Sequence, residues 1–182
     1  KIFFERLMVL EIHKPNIPKQ ERSLKRYESA LETADFILKE QNIHAVTLKE
    51  IAIRSGIKRS SLYKFFPSNM AILYALSEKH LNKLLKIVNA NTADVNFKNS
   101  MEFTMLIIDL LTIYLNEHKG SAIMFLSNDL PTKLEITLHS NTLFSSEMLN
   151  KINQKISNVD NERVDNNFSI IFALLSQGYQ NE

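Results

Sequence analysis

Residues 47–68 read Thr47-Leu-Lys-Glu-Ile-Ala-Ile-Arg-Ser-Gly56-Ile-Lys-Arg-Ser-Ser-Leu-Tyr-Lys-Phe-Phe-Pro-Ser68. Thr47 with Glu50 three residues on is a capping-box pattern, which predicts a short helix over 48–55. Gly56 stops it. A second short helix is expected over 59–66, stopped by Pro67, which has no N–H to continue the ladder. Two short helices that cross steeply over a tight turn need a small side chain at the crossing, and Ala52 supplies one. Their turn needs a residue that accepts positive φ four positions later, where Gly56 stands. Their shared core needs apolar residues at matched places: Leu48, Ile51, Ile57, Leu62 and Phe65 or Phe66. All are present together, and the combination spells a helix-turn-helix.

A plain helical hairpin would use Ala52, Gly56 and Leu62 equally well. The exposed face of the second helix separates the two readings. Lys58, Arg59, Ser60, Ser61, Tyr63 and Lys64 are polar or carry hydrogen-bonding tips, and none is acidic. Such side chains suit phosphates and base edges in a major groove. The charge distribution agrees: residues 1–80 hold 14 Lys and Arg against 9 Asp and Glu, whereas the rest of the chain is net acidic. The partner expected at this surface is double-stranded DNA.

The segment from Thr47 to Ile57, followed by Ser61-Leu-Tyr-Lys-Phe-Phe-Pro-Ser68, resembles the N-terminal domain of the tetracycline-repressor (TetR-type) family. The Leu-Tyr-x-x-Phe run and a three-helix layout over 21–66 carry the resemblance. It implies that Thr47 caps the second helix and meets a phosphate, and that the Tyr63 hydroxyl meets another. Lys64 stands where the family often has a phosphate-contacting histidine or aromatic. Arg59, Ser60 and Ser61 open the recognition helix, and Arg59 is the expected guanine reader because its planar fork can bond O6 and N7 together. Two positions depart from the pattern. Lys58 replaces the usual Ser, which removes a helix cap, and Asn69 replaces a Lys, so that a phosphate is met there without charge.

Working outward, Pro15 and Pro18 mark residues 1–20 as an N-terminal extension and linker, ahead of a helix-turn-helix domain over 21–67. Lys1 to Leu10 is broken by Glu5 and Arg6 and has no small-residue cleavage site, so no signal peptide is expected there. Leu24, Tyr27, Leu31, Ala34 and Leu38 repeat at helical spacing through Gln41, and Asn42 is expected to end that helix in a left-handed conformation. Ser68 can cap a long amphipathic helix through Ile72, Leu76, Leu84 and Val88 to about Ala90. Further helices are expected over 100–118, 121–127, 131–156 and 164–177. Only three glycines occur, against roughly a dozen usual for this length. Gly56 is assigned to the turn, Gly120 to a break between helices, and Gly178 to the end of the last helix. The fold class is therefore all-α: a helix-turn-helix domain and, over 68–182, a helical domain to which the resemblance assigns ligand binding and dimerisation.

The second domain is rich in Met and aromatic side chains, of which Met101, Met105, Ile108, Tyr114, Met124, Phe125, Phe144 and Met148 are candidates for an effector pocket. Ordinary core packing explains each of them singly. The resemblance, which implies an effector pocket in this domain, is the main reason to propose one, and the composition suits a largely apolar small molecule. Tyr114, His118 and His139 are candidate polar handles. The resemblance also implies a homodimer through the last helices, where Phe168, Ile171, Phe172 and Leu175 form an apolar stripe. Many family members carry one more helix after the position of Gly178.

Other chemistry is not expected. With no cysteine there is no thiolate metal site, disulfide or thiol nucleophile. The five histidines show no metal-ligand spacing, and each is expected in a surface or capping role. No G-x-S-x-G or P-loop occurs, no cofactor is implied, and an enzyme is not expected. No run of about 18 apolar residues is present, so the chain reads as cytoplasmic, without a membrane partner, and the resemblance implies a bacterial source. The leading reading is a ligand-released repressor that reads a palindromic operator. The alternative is a helix-turn-helix interaction or nucleoid-associated protein without ligand control.

Overall fold

The computed structural model describes residues 14–126, and all regular structure there is helical. Among the described residues six α-helices follow one another: α1 (Glu21–Glu40), α2 (Leu48–Ser55), α3 (Arg59–Phe65), α4 (Asn69–Thr92), α5 (Ser100–Glu117) and α6 (Lys119–Leu126). A 3-10 turn, Ile43–Ala45, lies between α1 and α2. The chain divides into two compact units, Lys1–Lys79 and His80–Glu182. The expected helices over 131–156 and 164–177 lie outside the described residues. No helix among the described residues is long and apolar enough to cross a membrane.

In the first unit, α1 buries Tyr27, Ala30, Leu31, Ala34, Ile37 and Leu38, a stripe at i, i+3, i+4 and i+7. Leu24, one turn earlier on the same stripe, is left largely exposed. Leu48 and Ile51 of α2 and Leu62 and Phe65 of α3 complete a core against α1, with Phe66 fully buried beside them. Ile57 is only half-buried. The Tyr27 ring stacks on Phe66 at 4.8 Å between centroids and meets Phe65 edge-on at 6.0 Å. Gly56 takes φ +68°, the left-handed conformation the turn requires.

Asn42 does not end α1 as its residue type predicts. It is extended, with φ −154°, and its Oδ1 accepts from the N–H groups of His44 and Ala45. Asn here begins a turn, because its short side chain competes with the backbone for the next N–H groups. The capping box is likewise half formed. Thr47 Oγ1 accepts from Glu50 N–H at 3.1 Å, but the Glu50 carboxylate turns to Arg54 at 2.7 Å. Arg54 also reaches Glu40 at 2.9 Å, and these hydrogen bonds hold its guanidinium still more firmly in the charged state.

Burial pushes the Tyr27 hydroxyl up to about 12, and the Glu78 and Glu28 carboxylates add to the shift. The folded unit thus holds this proton more tightly than the unfolded chain does. The resulting stability is complete below about pH 10 and is lost as pH rises to 12, at roughly 1 kcal/mol per pH unit. Urea midpoints measured from pH 9 to 11.5 are expected to fall accordingly. Tyr27→Phe should flatten the dependence; an unchanged slope would contradict the assignment.

In the second unit, Asn99 Oδ1 caps α5 through Glu102 N–H, and Glu102 reaches back to Lys98 N–H. Phe103, Ile107, Leu111, Tyr114 and Leu115 form the buried face of α5. Gly120 does not separate two helices as its residue type suggests. The break falls at His118, and Gly120 lies buried in the first turn of α6. His118 is extended enough to stop α5, and its carbonyl already accepts from Ala122 N–H to start α6.

Candidate nucleic-acid interface

The helix-turn-helix presents one polar face. Leu62 and Phe65 anchor the inner side of α3, so Arg59, Ser60, Tyr63 and Lys64 stand outward at i, i+1, i+4 and i+5. Lys58 and Ser60 are exposed, Ser61 is half-buried, and Tyr63 is 48% exposed. The guanidinium of Arg59 lies 5.8 Å from the Tyr63 ring centroid and donates to its hydroxyl at 3.3 Å. The two side chains thus contact each other on the exposed face of α3. Lys58 is the residue before α3 and makes no side-chain cap, as its residue type requires.

Thr47 and Asn69 meet at the start of α2. Thr47 Oγ1 takes the Glu50 N–H, which leaves its hydroxyl proton to donate. Asn69, the first residue of α4, accepts from Leu48 N–H through Oδ1 at 2.9 Å. Its oxygen thus closes the first turn of α2 and only its amide donors remain for a phosphate. Ala52 is half-buried. Two positions escaped sequence reasoning here. Asn16 reaches the C-terminal end of α3, and Arg54 is held by two carboxylates and is not a free cation for a polyanion.

The pocket candidates among the described residues differ in exposure. Met101 and Met105 lie on the outer side of α5 at 67% and 53% exposure, and Ile108 is half-buried. Tyr114 and Met124 are buried. Phe125 stands in α6; its side chain, with His139, Phe144, Met148, Phe168, Ile171, Phe172 and Leu175, is outside what the structure describes.

A polar cluster is buried among the described residues of this unit. His80 Nδ1 and the Tyr114 hydroxyl are 2.7 Å apart, and the Tyr114 ring stacks on His118 at 4.1 Å. His80 is 1% exposed, which corrects the expectation of a surface or capping role. The signal was available: Ile72, Leu76, Leu84 and Val88 leave a gap in a four-residue series, and His80 fills it. Among the described residues no group of three His, Cys, Asp or Glu is placed to hold a metal ion.

Residues 30–76 match the family model of bacterial regulatory proteins of the tetR family. No curated protein matches the chain in sequence. Solved structures share the fold, among them the following three. The fatty acid degradation regulator FadR from Bacillus halodurans is 13% identical with a TM-score of 0.65, over 86% of this chain and 85% of that one. A TetR/AcrR-family transcriptional regulator from Thermobifida fusca is 16% identical with a TM-score of 0.55, over 86% and 85%. The ketosteroid transcriptional regulator KstR2 of Mycobacterium tuberculosis is 18% identical with a TM-score of 0.52, over 91% and 86%. Over its described residues the chain is all-helical, with a tetR-type helix-turn-helix domain towards the N-terminal end and a helical region after it.

Proposed function

We propose that this DNA-binding transcription regulator, whose residues 30–76 carry the tetR-family domain, is a repressor that binds a palindromic operator as a homodimer. A small, largely apolar effector held by residues 68–182 would release it. The observation that carries the DNA reading is the outward strip of Arg59, Ser60, Tyr63 and Lys64, which is free of acid and fixed by a buried inner face.

The roles follow from chemistry. Arg59, with Ser60 and Ser61, reads base edges at the N-terminal end of the recognition helix. Thr47, Lys58, Tyr63, Lys64 and the amide of Asn69 hold phosphates and fix register. One such helix reads few base pairs, so a twofold dimer with half-sites about 34–36 Å apart is the arrangement that gives useful specificity. The effector acts by preferring a state in which that spacing is lost, and its influence is limited by that preference. The stripe of Phe168, Ile171, Phe172 and Leu175 supplies the dimer contact.

Selection of duplexes from a randomised pool tests the reading. The chain is expected to enrich one palindromic motif. Arg59→Ala should then weaken binding by about 1–3 kcal/mol and relax preference at one base pair of each half-site. Tyr63→Phe should cost about 0.5–1.5 kcal/mol, equally on every sequence. A chain that enriches no motif and loses nearly all binding between 50 and 200 mM salt is a nucleoid-coating protein instead.

A further inference from the structure

The recognition helix is short and poorly closed by its own neighbours. α3 has seven residues, about 10 Å of helix, and its first residue is preceded by Lys58, which makes no side-chain cap. Its C-terminal carbonyls have the same difficulty. A helix leaves its last four carbonyls without intrahelical partners, and downstream N–H groups usually meet some of them. Here Phe66 N–H takes the Leu62 carbonyl at 2.7 Å, and the next residue, Pro67, has no N–H to give. The carbonyls of Lys64 and Phe65 must look elsewhere.

They find Asn16. Its backbone N–H donates to the Phe65 carbonyl at 2.7 Å, and its side-chain Nδ2 donates to the Lys64 carbonyl at 3.2 Å. One residue, 48 positions earlier than Lys64, thus supplies two adjacent donors to one helix end. The segment that two prolines mark as a linker is a C-terminal cap delivered from a distance. It lies ahead of the family-matched residues, which begin at 30.

We propose that Asn16 is a positioning residue for DNA reading: by closing the C-terminal end of α3 it fixes the tilt at which Arg59 and Ser60 meet base edges. The inference rests on the DNA-binding reading. Leu62 and Phe65 fix the inner face of α3, but an apolar contact tolerates rocking that two hydrogen bonds at one end do not. Base readout is demanding of this kind of error, because a bidentate contact needs its partner within about 0.5 Å and 10–20°. Phosphate contacts through flexible Lys64 and Lys58 are not.

The test uses the full chain and the duplex that the wild-type protein enriches from a random pool. Its affinity is compared with that for the same duplex carrying one changed base pair under the recognition helix. Asn16→Ala removes one donor and should lower affinity for the enriched duplex about three- to tenfold while affinity for the changed duplex stays within twofold. Asn16→Asp sets a carboxylate against the Lys64 carbonyl at the negative end of the helix and should narrow the ratio further. Ile17→Ala, at the 65% exposed neighbour, should leave both values unchanged. Equal losses on both duplexes, or a ratio unchanged in both Asn16 variants, overturns the proposal while the DNA reading stands. If the wild-type chain enriches no duplex, the DNA reading fails and takes this inference with it.

Discussion

Phe66→Ala is expected to destabilise the first unit by about 3–5 kcal/mol and to abolish sequence-selective DNA binding. The residue is fully buried, and its ring stacks on Tyr27 of α1 at 4.8 Å while meeting Phe65 edge-on at 6.2 Å. Truncation leaves a cavity where the end of α3 and the middle of α1 come together. The stacked geometry adds about 0.5–1.5 kcal/mol to the area term. Small domains are stable by only about 5–15 kcal/mol, so a loss of this size removes much of the margin. Phe66 is also the residue whose N–H closes α3 on Leu62, and the loss of its anchor frees that end of the recognition helix. Urea unfolding followed by far-UV circular dichroism and by tyrosine fluorescence checks the prediction, with Phe66→Leu as a milder control. A shift under 1 kcal/mol for the alanine variant would place Phe66 outside the core.

The helix-turn-helix was legible because its determinants are local. Thr47 caps three residues on, Gly56 takes the positive φ that the turn demands, and the spacing of Leu48, Ile51, Leu62 and Phe65 follows the helix period. Residue type and offset determine such features. The errors arose where a residue has several local options or a distant partner. Asn42 can end a helix or begin a turn, and the 3-10 turn that follows took its side chain. Glu50 can close a capping box or pair with Arg54, and a guanidinium also held by Glu40 won.

The long-range cases show why sequence alone stops short. Nothing in Pro15-Asn16-Ile17-Pro18 announces two carbonyls 48 and 49 residues away; only the closed fold brings them within reach. The family pattern suggests a neutral phosphate contact at Asn69 but not that its oxygen serves Leu48 N–H at the head of α2. In the second unit the Met residues of α5 could not be sorted by type, since Met suits exposed and buried sites alike. Periodicity sorts them: Phe103, Ile107, Leu111 and Tyr114 make the inner face, and Met101 and Met105 fall outside it.

That inner face carries the second large effect. Tyr114→Ala is expected to destabilise the second unit by about 3–5 kcal/mol, whereas Tyr114→Phe should cost about 1–3 kcal/mol. Tyr114 is among the largest fully buried side chains, stacked on His118 at 14° between ring planes and bonded through its hydroxyl to His80 at 2.7 Å. The alanine variant removes both the ring stacked on His118 and the hydroxyl that meets His80. The phenylalanine variant keeps the packing and removes only that hydrogen bond, so the difference between the two isolates the ring. Because the chain has two compact units, the measurement must resolve two transitions, and amide exchange read separately in α1 and α5 does so. The proposed division of labour sets the pattern. Protection should fall in α5 and persist in α1, while operator affinity falls through loss of the dimer and recovers at high protein concentration. Equal loss of protection in α1 and α5 would show that the two units unfold as one, and an operator affinity that does not recover at high protein concentration would overturn the assignment of dimerisation to the second.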